Sequence, residues 1–188
     1  MIAKRGHGDV EIRVNIDISG ALRKINYYRE HAVDIALRRA LDTTAAQGER
    51  EASRRIRDIY NVPAERLEKD IFIRVDPDGK KAYIIFSRRH PPGLQHYKAK
   101  QLKSGVSVYV KKAQRKTLAH AFMATMSKGG TGVWERVGKA RLPIRRLYGP
   151  SVGGMIKNPA ILDAVKAKIR ERFPINFKRE MGRASYRK

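Results

Sequence analysis

The chain has 188 residues, 42 Lys and Arg against 18 Asp and Glu, a formal net charge of +24, and no cysteine. That length suits one domain, and 41% hydrophobic residues supply a core, which argues against a disordered tail. The lack of cysteine excludes disulfides, thiol catalysis and cysteine-based zinc sites.

Taken in chain order, residues 1–8 show no apolar leader region, and no stretch reaches the roughly 18 apolar residues of a spanning helix. The expectation is a soluble protein without a signal peptide and without a membrane role. Val10, Ile12, Val14, Ile16 and Ile18 alternate with polar residues, which predicts a strand with one buried face. Ser19 then stands as a helix N-cap. From about residue 20 to 60, Val33, Leu37, Leu41, Ala45, Gly48, Ala52, Ile56 and Ile59 recur at steps of three and four, predicting one long helix. Gly48 marks a break or a place of close packing. Asn61-Val62-Pro63 ends that helix, and a short helical turn follows.

Two apolar runs, 71–75 and 82–86, flank Asp76-Pro77-Asp78-Gly79, a hairpin with turn chemistry between its arms. Residues 88–104 read as a basic loop containing Pro91-Pro92-Gly93. Val106, Val108 and Val110 alternate again and lead into Lys111-Lys112-Ala113-Gln114-Arg115-Lys116. Leu118–Met126 and Val133–Val137 form a further hairpin. Leu142-Pro143-Ile144 reads as an edge strand with Leu142 and Ile144 buried on one side, and Gly149-Pro150 turns away from it. Asn158-Pro159 opens a last helix with Ile161, Leu162, Val165 and Ile169 as its stripe, and Pro174 kinks or ends it. The order gives an α+β fold: a long N-terminal helix packed on a largely antiparallel sheet, plus a C-terminal helix. Residues 1–188 are expected to form a single domain, with 1–18 as an N-terminal strand or arm able to pair with a neighbouring subunit's edge.

The charge is uneven. Residues 1–73 hold 14 basic and 12 acidic residues, residues 74–150 hold 18 and 3, and residues 151–188 hold 10 and 3. Arg88, Arg89, Lys98, Lys100, Lys103, Lys111, Lys112, Arg115 and Lys116 are therefore the candidate contacts to an anion or to DNA, with Tyr97 and Tyr109 interleaved as stacking groups. The other reading of these residues is a solvated face that meets acidic neighbours in an assembly. Catalysis finds no candidate. His7, His31, His90, His96 and His120 lack metal-ligand spacing. Asp76 and Asp78 fit a plain turn better than a cation loop, and Ser151 lacks the frame of a nucleophile elbow. Neither a metal nor a cofactor nor a small-molecule substrate is expected.

The most distinctive segment runs from Arg141 to Val152, with Leu142, Pro143, Ile144, Tyr148, Gly149, Pro150 and Ser151 as candidate motif or interface residues. Leu-Pro-Ile, then Gly-Pro-Ser, then a C-terminal helix resembles phage tail-completion proteins. Within that group the chain is similar to the prophage minor tail protein Z family, through Gly132–Gly138, Leu142–Ile144 and the basic helix to Pro174. The resemblance implies a non-enzymatic structural protein acting in tail completion or head-tail joining at the head-proximal end of the tail. It implies a homo-oligomeric ring with other tail and neck proteins as partners, in the virion and, during assembly, in the host cytoplasm, with contact to packaged DNA left open. The competing class is a basic cellular nucleic-acid-binding protein associated with ribosome or nucleoid, motivated by charge but lacking a helix-turn-helix, zinc finger or RNP-like motif.

Overall fold

The computed structural model describes residues 10–14, 30–89, 91–126 and 130–186. The expected strand residues 15–18, the Ser19 cap, the helix over 20–29, His7, His90 and the turn at 127–129 lie outside them.

Helix α1 spans Glu30–Ile59 and the C-terminal helix α4 spans Pro159–Tyr186. They pack along each other as the main helical contact of the molecule. Each presents a stripe at helical spacing: Val33, Leu37, Leu41, Ala45, Ala52 and Ile56 on α1, and Ile161, Val165, Ile169 and Phe173 on α4 are buried. The stripes face one another because only that arrangement removes both from water. Gly48 sits where α1 meets two neighbours at once. A Cβ there would lie 2.8 Å from Ile84 Cδ1 and 3.0 Å from Ile169 Cγ1. Close packing, not a break, is what this glycine serves. Asn158 Oδ1 accepts from the Ala160 amide at 3.1 Å, capping α4 as its sequence position requires.

Pro174 does not end α4. The helix runs on to Tyr186, because residues beyond the proline are held against α1. Asn176 Nδ2 donates to Thr44 Oγ1 at 3.0 Å and to Gln47 Oε1 at 3.1 Å. Phe177 stacks on Phe173 at 5.9 Å between ring centroids.

Among the described residues, three antiparallel three-stranded sheets carry the rest. After the short helix α2 (Ala64–Glu68), β2 (Ile71–Val75) and β3 (Ala82–Phe86) form the expected hairpin, with Gly79 at φ +69° in its turn. Strand β1 (Val10–Val14) pairs with the other side of β3, from Val10 opposite Phe86 to Val14 opposite Ala82. Over residues 10–14, then, the pairing is made within the chain. The second sheet holds β4 (Lys100–Leu102), β5 (Gly105–Lys111) and β6 (Gln114–Leu118); the third holds β7 (Ala121–Met126), β8 (Gly130–Arg136) and β9 (Ile144–Arg146). Leu118 therefore closes β6 instead of opening the later hairpin, and His120 at φ +64° separates the two strands.

Part of the stretch read as a basic loop is ordered. A 3-10 turn at Leu94–His96 precedes β4, and Leu94 and Tyr97 belong to the core. The turn is tied to the segment after β9: Leu94 N donates to Leu147 O at 3.1 Å, and Gly149 N donates to Pro92 O at 2.8 Å.

Candidate functional site

Every candidate cation is exposed, but they do not form one patch. Arg88 and Arg89 follow β3, where the Arg88 stem covers Gly153. Lys100 lies on β4 and Lys103 in the turn after it. Lys111, Lys112, Arg115 and Lys116 form the tip of the β5–β6 hairpin, in which residues 111–117 are all exposed. Tyr97 is 0% exposed and cannot stack on a ligand. Its hydroxyl donates to Pro150 O at 3.3 Å, and burial pushes its ionisation well above the ordinary tyrosine value. Tyr109 is half-buried, its carbonyl accepting from Asn61 Nδ2 at 2.9 Å.

Two of the candidates do meet. Lys98 and Lys112 line a cleft of about 420 Å³ together with Arg57, Tyr60, Asn61, Pro63 and His96. Backbone bonds build it by lacing β5 to the end of α1. Asn61 N donates to Val110 O at 3.0 Å, and Lys112 N donates to Ile59 O at 2.9 Å. On the other wall, Tyr109 N donates to Tyr97 O at 2.9 Å, placing the turn in which Lys98 adopts φ +50°. Among the described residues no carboxylate lines the cleft. His96 is held below the usual histidine range, first by burial and then by the Arg66 and Arg146 guanidiniums.

The sequence motif from Leu142 to Ser151 divides in two. Gly149, Pro150 and Ser151 are internal supports. A Cβ on Gly149 would enter the Tyr97 ring, and Ser151 caps the short helix α3 (Val152–Met155) by accepting from the Gly154 amide at 3.2 Å. Leu142, by contrast, is 67% exposed, contrary to the burial expected of it. It sits with Val137, 58% exposed, and Pro143 on the β8–β9 tip, where residues 136–143 are all exposed. Ile144 is half-buried on β9, an edge strand as expected.

Next to this tip lies a face that sequence reasoning missed. Phe122 stands opposite Trp134, and Trp134 opposite Arg146, so β7, β8 and β9 present one cross-strand row. Ala121 and Val133 are buried on the reverse face. Arg146 lies over the Trp134 ring at 5.7 Å and over Tyr148 at 5.9 Å, while Arg136 lies over Phe122 at 5.5 Å. Tyr148 remains 52% exposed. The available signal was the chain's one tryptophan, two residues from Gly132 and two from Arg136 on a strand; the row itself depends on the β8–β9 register.

Among the described residues there is no group of three or more His, Cys, Asp or Glu that could hold a metal ion, and no helix long and apolar enough to cross a membrane. Fold and surfaces together define an α+β protein whose most distinctive exposed features are a cationic cleft and an arginine–aromatic face with an apolar tip.

The chain belongs to the family described as Prophage minor tail protein Z (GPZ), whose model matches residues 17–185. Membership gives it a structural role in a bacteriophage tail. Neither the curated proteins nor the solved structures give a significant match.

Proposed function

We propose that the protein acts in tail completion or head-tail joining at the head-proximal end of the phage tail, as a ring of copies that catalyses nothing. The observation that carries this reading is the face formed by Phe122, Trp134, Arg146 and Tyr148 beside the Val137–Leu142 tip. Arginine and large aromatics are the residues that dominate protein–protein interfaces. The exposed apolar tip offers area that a neighbouring subunit would remove from water. Cations around it (Arg136, Lys139 and Arg141) favour a carboxylate-bearing neighbour, whether another tail or neck protein or the nearly neutral N-terminal third of a second copy. Family membership favours this virion role over a cellular nucleic-acid-binding protein.

The test is phage production with Trp134→Ala/Arg146→Ala in place of the natural chain. Mass spectrometry of wild-type virions is expected to find the chain at low copy number. The double variant is expected to be depleted from particles, and electron microscopy to show tails that fail to join heads. A purified chain that stays monomeric and is missing from wild-type virions would overturn the reading.

A further inference from the structure

We infer that the cleft lined by Arg57, Lys98 and Lys112 is a preformed site for the phosphate groups of a nucleic-acid backbone. The inference deepens the head-proximal role and rests on it for which nucleic acid is met in the virion.

The three cations come from three distant parts of the chain and converge only through the backbone bonds that lace β5 to the end of α1. Among the described residues none of them makes an ion pair. An uncompensated group of like charges is costly to assemble, and an anion offsets that cost. Lys98 is held at φ +50°, a backbone conformation that non-glycine residues seldom adopt, so the fold fixes this turn at some expense.

The surroundings favour a phosphodiester over an acidic protein segment. From Lys112 the positive charge continues along the exposed hairpin through Arg115 and Lys116, and the sequence has no Asp or Glu from residue 79 to residue 134. A strand of evenly spaced negative charge matches such a surface along its length. A protein partner, which mixes both signs, would leave part of it unanswered. Tyr60, the tyrosine of the cleft lining, is buried, so it presents no face for base stacking. Contact through the three cations is therefore to the backbone, without sequence preference and with duplex accepted.

The experiment is fluorescence anisotropy of labelled duplex DNA with the full chain across a salt series. Arg57→Gln/Lys98→Asn/Lys112→Gln is compared with Lys166→Gln/Arg170→Gln/Lys178→Gln, an equal charge change at exposed positions of α4. Asparagine at 98 tolerates the left-handed backbone, and thermal melts check that both variants fold. The cleft variant is expected to lose about tenfold in affinity near 0.15 M salt and about 2 to 3 units of the log–log salt slope. The α4 variant should lose clearly less, and scrambling the DNA sequence should change neither. Equal losses in the two variants, no binding of duplex by the unmodified chain, or a selective loss of binding to polyglutamate would each overturn the assignment. If the slopes behave as expected but wild-type virions lack the chain, the tail-completion reading fails while the cleft stands.

Discussion

At Gly149 the backbone of one turn lies against the face of a buried ring. The Tyr97 ring fills the space a Cβ would need, and the Gly149 amide is committed to Pro92 O at 2.8 Å. Overfilling a closed site of this kind costs about 1–3 kcal/mol. Gly149→Ala is therefore expected to lower stability by about 2 kcal/mol, read as a shift in the urea midpoint. Gly138→Ala, with open space around its Cβ position, should leave the midpoint unchanged. The same contact explains why the Gly-Pro-Ser part of the motif was legible as a turn but not as a support. Its partner, Tyr97, is 53 residues from Pro150 in the chain, and no local pattern links the two. Tyr97 itself looked like a stacking residue because it stands among lysines; its burial is decided by that distant turn.

At the level of elements, strong periodicities were legible and short pieces were not. The stripes of α1 and α4 and the β2–β3 hairpin declare themselves through spacing alone. Strand β4 has no alternation to read. It exists because Gln101 ties it to its neighbours, its amide donating to Gly105 O at 3.0 Å and its Oε1 accepting from Met123 N at 2.7 Å. Pro174 is the converse case, a clear local stop signal that packing overrides. Proline deprives the Arg170 carbonyl of its helical donor and crowds it, yet Asn176, Phe177 and the buried Glu180 pin the following turns. Because Pro174 itself is exposed, Pro174→Ala restores the missing bond without disturbing the helix interface. Stability is expected to rise by about 1–2 kcal/mol, a fraction of the roughly 3 kcal/mol a proline costs inside a helix. A melting point unchanged or lowered in the variant would mean that the proline bend is required for the α1–α4 fit.

Across the whole molecule the charge surplus governs behaviour in solution. With a net charge of +24, the free chain repels itself, and unfolding relieves part of that repulsion. Added salt screens it over a Debye length of about 10 Å at 0.1 M. The melting temperature is therefore expected to climb by several degrees between about 0.05 and 0.5 M sodium chloride, with sulfate more effective than chloride at equal ionic strength. A melting temperature that falls over this range would show that attractive ion pairs, such as Arg54 with Glu51 at 2.8 Å, outweigh the surplus. The sequence localised the charge correctly to residues 74–150 but could not say that Lys98 and Lys112 reach a common cleft, nor that Arg57 from the nearly neutral helix joins them. That convergence is tertiary.

Strand β6 is the outer strand of its sheet, and residues 114–117 on it are exposed while carrying Arg115 and Lys116. An open strand edge is an invitation to pair with another chain, and basic side chains along it are a common way to decline. Two copies approaching through this edge would bring like charges together, so the β6 edge resists pairing with its own kind. A polyanion laid along the hairpin would lift that veto, turning the solubility of the free subunit into a brake that is released only where its anionic partner is waiting.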